Sequence, residues 1–252
     1  MIFSQPTVVS RPFNFYLGFG IPLLIMVCLL VFDPTALDYA VTNLFYSAEG
    51  GFVGRHSFFL EKVLHKWAKQ AVVSIGALAI AGLVLSGLPT PLRKWRRELC
   101  YLVLALGLST GVVMPLKMLT EVHCPWSLTD YGGSETYTPL LSKRAPPVGS
   151  PGLCWPGGHA ATGFSLLAFF FVLRDRRPRA ARGALIAALV VGGVFSLGRT
   201  MQGAHFVSHN LWTFLLDWII CLGAYRMVLY LPGRAIPAGT DTLPPDTAWG
   251  QH

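Results

Sequence analysis

Charged side chains are scarce in this sequence. Only 13% of its 252 residues are Asp, Glu, Lys or Arg, whereas a soluble domain of this size carries roughly a quarter. Hydrophobic residues make up 53% of the chain, and the mean hydropathy is +0.52. This composition excludes an ordinary soluble domain and predicts an all-α helical bundle that spans a membrane.

Cysteines are few, and their spacing does not match that of a zinc site. The chain has five, without a Cys-x-x-Cys pair or a cysteine and histidine set with zinc spacing, so we expect no structural zinc. Cys124 and Cys154 share one loop that we place outside the membrane, where an oxidising compartment permits a disulfide. The sequence leaves two interpretations open here, a disulfide or two free thiols.

The apolar residues gather in six runs. These cover residues 15–32, 70–88, 101–117, 158–173, 184–200 and 210–231. Because a transmembrane helix needs about 20 apolar residues, each run is a candidate span. The first run is too long for a signal peptide and no small-residue cleavage site follows it. We expect a transmembrane domain over residues 1–231 with about six helices, and a flexible tail over residues 232–252.

Basic residues are concentrated in two short loops on the same side of a six-span arrangement. One loop holds Arg93, Lys94, Arg96 and Arg97, and the other holds Arg174, Arg176, Arg177, Arg179 and Arg182. Short loops rich in Lys and Arg stay cytoplasmic, so the loops 118–157 and 199–209 should lie outside. Since this charge flanks membrane helices, we expect no nucleic-acid partner.

Three ionisable residues, Arg199, His205 and His209, lie where predicted membrane helices meet water. Such groups are costly at this depth and usually functional. The planar guanidinium of arginine suits a phosphate. A histidine that attacks phosphorus needs its other ring nitrogen held by an acceptor, and His209 is a candidate to orient His205 in this way. The alternative is that both histidines only pack among aromatic residues at the membrane surface.

Two further segments supply partners for a phosphate. Pro156-Gly-Gly-His159 directly precedes the fourth apolar run. Gly157 and Gly158 would let an anion approach the backbone at a helix start, and His159 would be close enough to transfer a proton. Helix packing through small residues explains the glycine pair equally well. Lys117 lies at the end of the third run. Two roles fit this position: a phosphate ligand, or an anchor whose amine extends to the membrane surface.

Together these segments resemble the three signatures of the type 2 phosphatidic acid phosphatase (PAP2) superfamily. The matching segments are Lys117-x6-Cys-Pro125, Pro156-Gly-Gly-His159 and Gly198-Arg-x5-His-x3-His209. The family pattern is Lys-x6-Arg-Pro, Pro-Ser-Gly-His and Ser-Arg-x5-His-x3-Asp. This chain departs from it at Cys124, Gly157 and His209. The family includes membrane lipid phosphatases and soluble vanadium haloperoxidases, and the six apolar runs favour the former.

The resemblance implies a role for each residue. His205 would be the nucleophile and form a phosphohistidine, while His159 would protonate the leaving group. His209 would replace the aspartate that orients the nucleophile. The groups that would hold the phosphoryl oxygens are Lys117, Arg199 and the backbone N–H groups of Gly157, Gly158 and His159. The resemblance implies no metal and no other cofactor.

Three functions remain open from the sequence. The first is a phosphatase of a membrane lipid phosphate or diphosphate, with its site on the periplasmic side of a bacterial inner membrane. The second is a lipid phosphotransferase that uses a polyprenyl diphosphate donor. The third is a non-catalytic lipid-binding or transport protein. The sequence names neither the lipid nor the oligomeric state.

Overall fold

All six apolar runs are helical in the computed structural model, which describes residues 10–55, 57–144 and 146–231. The helices are α1 (Phe15–Val31), α2 (Thr35–Asn43), α3 (Lys69–Leu85), α4 (Arg96–Gly111), α5 (Val113–Thr120), α6 (Gly158–Phe164), α7 (Leu167–Arg174), α8 (Pro178–Met201) and α9 (Val207–Val228). A π-helix, Phe59–Ala68, leads into α3. Two short strands, β1 (Tyr46–Ser47) and β2 (Gly51–Phe52), form an antiparallel hairpin. The predicted all-α fold is confirmed.

Helix length separates the candidate spans into two groups. Within the residues described, three helical stretches are long and apolar enough to cross a membrane: Pro91–Ser127, Pro178–Met201 and Val207–Val228. A fourth is counted if α1 and α2, which are bent by 88° relative to each other, form one broken span. Two apolar helices, Lys69–Leu85 and Gly158–Arg174, are shorter. The tail predicted for residues 232–252 lies outside the described residues.

Proline accounts for the break in the third apolar run. Helix α4 ends at Gly111 and α5 begins at Val113. Pro115 lies four residues after Gly111 and has no N–H to donate to the Gly111 carbonyl, so the helical ladder is interrupted at this point. The short α5 then carries Lys117 to the end of the bundle.

The two basic loops meet at one end of the bundle. Arg176 pairs with Glu98 at 2.6 Å and lies over the ring of Trp95 at 5.1 Å. Arg174 of the second loop donates to the backbone carbonyl of Arg11 and to the hydroxyl of Tyr225. The prediction that both loops share a side is therefore confirmed. We call this the basic end and the opposite end the site end; which compartment each faces stays a prediction.

Close backbone contact and outward apolar residues are both typical of a membrane bundle. A β-carbon on Gly163 of α6 would lie 2.6 Å from the α-carbon of Gly192 of α8, so these helices pack backbone to backbone. Leu24, Leu78 and Ile186 are 63%, 72% and 62% exposed. Because an apolar side chain gains nothing from water, these residues suit contact with lipid.

The site end is covered by the segments between the spans. Helix α2, the hairpin and the loop after α5 pack together through an aromatic cluster. Its members are Phe52, Leu128, Tyr131 and Phe206, with Tyr39, Tyr46 and Tyr137 against them. Phe206 directly follows His205, so this cluster fixes the loop that joins α8 to α9.

Candidate active site

The first and second motifs meet at a cleft of about 610 Å³. Lys117 on α5 lines this cleft, together with Gly158 and His159 at the start of α6. The amine of Lys117 lies 3.9 Å from the point where a β-carbon on Gly158 would stand. The absence of a side chain at Gly158 thus leaves open space between the amine and the helix backbone, as an oxyanion would require.

His205 is buried in the loop between α8 and α9, with 3% of its surface exposed. Its Nδ1 lies 2.7 Å from the carbonyl oxygen of Cys154. A carbonyl oxygen only accepts hydrogen bonds, so Nδ1 must carry the hydrogen of the neutral ring. Nε2 then holds the lone pair, which is the tautomer that a nucleophilic histidine needs.

The surroundings of His205 also favour its neutral form. Burial lowers the pKa of His205 well below its usual value, and the neighbouring His209, Lys117 and Arg199 lower it further by repulsion. A lowered pKa favours the uncharged ring. Residues from the first and third motifs are thus near enough to one imidazole to influence its charge.

The structure corrects the expectation that His209 accepts the hydrogen bond of His205. The acceptor is the main-chain carbonyl of Cys154, and the centres of the two histidine rings are 6.2 Å apart. His209 faces the same carbonyl, and its own Nδ1 has no hydrogen-bond partner in the described structure. The His209 ring therefore lies beside the His205 ring and does not take the hydrogen of its Nδ1. Its catalytic role stays a prediction.

Arg199 is held near the end of α8 by two neighbours. Its Nη1 donates to the side-chain oxygen of Gln202 at 2.8 Å, and its guanidinium lies 5.6 Å from the ring centre of Trp126. Its Nε is buried without a hydrogen-bond partner within the described part of the chain. A donor buried in this way is costly, so it suits a site that binds an anion.

The structure leaves no room for a side chain at Gly157, which the sequence motif did not indicate. Its N–H donates to the hydroxyl of Thr213 at 2.8 Å, and a β-carbon here would lie 2.6 Å from the side-chain oxygen of Asn210. The N–H of Gly157 is thus engaged, whereas Gly158 lines the cleft. Phosphate binding by Gly157 stays a prediction, and it would require this N–H to leave Thr213.

Helix α9 is capped by a residue from a distant segment. Phe206 occupies the N-cap position and has no side-chain acceptor, but Asp38 of α2 accepts from both the N–H and the hydroxyl of Ser208, at 2.9 and 2.5 Å. Asp38 is 1% exposed. A carboxylate at a helix start satisfies free N–H groups and interacts favourably with the helix dipole. Asp38 therefore helps to fix the helix that carries His209.

Cys124 and Cys154 form a disulfide, which confirms the first of the two sequence interpretations. Their α-carbons are 5.2 Å apart. Cys28 and Cys100 are exposed free thiols, and Cys221 is a buried one. The bond joins the first motif, at its arginine position, to the segment that leads into the second motif.

Sequence reasoning missed four contributors to the site: Lys69, Gln202, Asn210 and Thr213. Lys69 lines the same cleft as Lys117, and its place at the start of the second apolar run could have indicated this. Gln202 lies three residues after Arg199, a spacing that places the two on one helix face. No sequence pattern distinguishes the contacts of Asn210 and Thr213 with Gly157.

The described part of the chain does not gather metal-ligating side chains. Among residues 10–55, 57–144 and 146–231, no group of three or more His, Cys, Asp or Glu side chains could hold a metal ion. The expected metal-free chemistry stays a prediction.

Comparison with known proteins agrees with this geometry. The chain is 24% identical over 229 residues to a lipid A 4'-phosphatase of Francisella tularensis subsp. novicida, an alignment that covers 86% of this chain and 99% of the relative. No solved structure matches it. The family model of the PAP2 superfamily matches residues 98–232, which contain all three motifs and more than half of the sequence. This match, together with the apolar helices, shows that the chain is a membrane protein of the PAP2 superfamily.

Proposed function

We propose that this protein is an integral membrane phosphatase that hydrolyses a lipid phosphate or diphosphate through a phosphohistidine on His205. The observation that carries this proposal is the 2.7 Å contact between Nδ1 of His205 and the Cys154 carbonyl. It leaves the lone pair on Nε2, in a ring that burial keeps neutral. Membership of the PAP2 superfamily and the lipid A 4'-phosphatase relative support the reaction class.

The first chemical step transfers the phosphoryl group to the enzyme. Nε2 of His205 attacks phosphorus, the bond from phosphorus to the leaving oxygen breaks, and His159 gives a proton to that oxygen. Lys117 and Arg199 hold the phosphoryl oxygens, with the backbone N–H groups at the start of α6. These donors stabilise the negative charge of the transition state.

The second step regenerates the enzyme. Water attacks the phosphohistidine, His159 accepts a proton from that water, and the bond between phosphorus and nitrogen breaks. Inorganic phosphate leaves, and His205 returns to its neutral tautomer on the Cys154 carbonyl. The same intermediate would serve a phosphotransferase if a lipid hydroxyl or phosphate replaced water. The need for an acceptor lipid, tested below, distinguishes the two functions.

The cleft favours a substrate with both an apolar and an anionic part. Its apolar walls come from α3 and α4 and include Val72, Val73, Ile80, Val103 and Leu106. Its polar part lies at the site end, where Lys69 and Lys117 carry positive charge and His159 is adjacent. This arrangement suits a lipid whose chain follows the helices and whose phosphate meets the lysines. We place the site at the periplasmic face of a bacterial inner membrane.

Phosphate release from purified lipid phosphates in detergent tests the proposal. The panel is phosphatidic acid, phosphatidylglycerol phosphate, undecaprenyl diphosphate and lipid A, assayed with a chelator and without an acceptor lipid. We expect release by the wild type and none by His205→Ala. His65→Ala, which changes a histidine outside the three sequence motifs, is the matched control. Both variants must elute from a sizing column as the wild type does.

Each alternative gives a different result. Release that requires an added acceptor lipid indicates a phosphotransferase. Lipid binding with no turnover of any substrate indicates a binding or transport protein. Labelled phosphate that is not trapped on histidine after rapid quenching, in an enzyme that turns over, rejects the phosphohistidine. Loss of activity with chelator alone rejects the metal-free reaction.

A further inference from the structure

The acceptor that orients His205 belongs to a disulfide-bonded residue. We propose that the Cys124–Cys154 disulfide is a positioning element for the nucleophile, so that turnover depends on the oxidised state of this pair. The inference rests on the proposed phosphatase function, which supplies the reaction that it modulates. Neither cysteine is a catalytic residue, because neither touches the phosphate.

The first step concerns how the Cys154 carbonyl is fixed. Its own N–H donates to the carbonyl of Val122 at 2.9 Å, and its side chain is bonded to Cys124. Val122 and Cys154 are both buried, at 7% and 4% exposure. Two attachments to the segment after α5 therefore hold the carbonyl against Nδ1 of His205. One of them is covalent and can be removed chemically.

The second step concerns why the carbonyl needs to be held. A carboxylate side chain at position 209 would lie only four residues from His205 and would move together with it. Here the acceptor is a backbone atom 51 residues before His205 in the chain. The loop that precedes it is largely exposed, with Leu141 and Val148 each at 77%. Motion of this loop would move the Cys154 carbonyl away from Nδ1. The ring of His205 would then be free to carry its hydrogen on either nitrogen.

The third step concerns the partner of the bond. Cys124 precedes Pro125 and Trp126, whose N–H donates to the Gly203 carbonyl at 2.9 Å and whose ring lies on Arg199. The disulfide thus joins the segment that supports Arg199 to the one that orients His205. Cys124 is partly exposed, so a water-soluble reductant can reach the pair.

The main test compares turnover before and after reduction. Treatment with tris(carboxyethyl)phosphine should lower kcat by roughly 10²-fold, the usual cost of misplacing a reacting group by about 1 Å. KM should change less than kcat, because Lys117 and Arg199 still bind the phosphate. Reoxidation should restore kcat. Cys124→Ser and the double variant Cys124→Ser/Cys154→Ser should start with the low kcat and not respond to reductant.

Two controls separate positioning from general stability. Cys28→Ser/Cys100→Ser removes the exposed free thiols and should keep both full activity and sensitivity to reductant. His209→Asp, combined with Cys124→Ser, provides a carboxylate near His205 that does not depend on the disulfide. It should recover much of the lost kcat. If the disulfide only stabilised the fold, this substitution would give no recovery, and that outcome overturns the proposal.

A readout that needs no substrate separates this inference from the proposed function. In protein with ¹⁵N-labelled histidine, the Nδ1–H resonance that disappears in His205→Ala should be protected from exchange when oxidised and lost on reduction. A resonance that persists unchanged after reduction rejects the inference, even in an active phosphatase. Absence of phosphate release from the oxidised wild type rejects the function but not this positioning.

Discussion

The side-chain oxygen of Asn210 lies 2.6 Å from the point where a β-carbon on Gly157 would stand. The family has serine at this position of the second motif, and Asn210 fills the space that its side chain would need. Gly157 is therefore a packing requirement of this chain, since its N–H also bonds to Thr213. Glycine replaces the serine of the family pattern at position 157 because the side chain of Asn210 occupies the space that the serine would need.

Gly157→Ala should destabilise the protein by about 1–3 kcal/mol, the usual cost of overpacking. It should also lower kcat, because the start of α6 carries His159. Thermal unfolding and phosphate release measure the two effects. In a double-mutant cycle with Asn210→Ala, the combined loss should be smaller than the sum of the single losses. Gly183→Ala, where a β-carbon meets nothing within 4 Å, is the matched control.

His209→Ala should leave most of the activity in place. The Cys154 carbonyl still fixes the tautomer of His205, so we expect kcat to fall far less than the roughly 10²–10⁴-fold typical of a lost proton-handling group. His205→Ala, measured in parallel, should abolish turnover. Steady-state kinetics on one accepted lipid phosphate decide between these expectations. A fall of about 10³-fold in His209→Ala would restore His209 as the orienting residue.

Stability should decline as the solution becomes acidic, in a way that depends on His205. Its pKa is lowered in the folded state, so the unfolded state binds more protons below the unfolded histidine value of about 6.5. The contribution of the neutral His205 ring to the free energy of unfolding is therefore complete above about pH 6.5. It is lost as the pH falls toward the pKa of His205 in the folded protein. The thermal midpoint of the wild type should drop more between pH 7.5 and 5 than that of His205→Asn.

Lys69→Ala should raise KM for the lipid phosphate by roughly three- to tenfold with a smaller change in kcat. Lys69 lines the cleft with Lys117, but its side chain is exposed, so solvent screens part of a charged hydrogen bond. Lys69→Arg should restore most of the affinity. The matched control is Lys62→Ala on the neighbouring π-helix, with an unchanged KM expected. Equal KM values for the wild type and Lys69→Ala would remove Lys69 from the site.

The helices, and the meeting of the first two motifs, could be predicted from the sequence, whereas the roles of the site residues stay predictions. A run of apolar residues specifies a membrane helix locally, because each backbone group in lipid must bond within its own segment. All six runs are helical for this reason. Lys117, Gly158 and His159 were identified from motif spacing, and the cleft brings them together. The shared side of the two basic loops was also predictable, since an even number of spans separates them.

The tertiary structure alone decided which group orients His205. The acceptor is the backbone carbonyl of Cys154, and every residue has such a carbonyl, so no sequence pattern marks this one. The sequence pointed to His209 because spacing describes side chains along one helix, whereas this contact joins two distant loops. Whether Cys124 and Cys154 are bonded, and whether Asn210 excludes a side chain at Gly157, depends likewise on how separate segments pack. Such contacts arise only when the bundle closes, because their geometry belongs to pairs of segments and not to either segment alone.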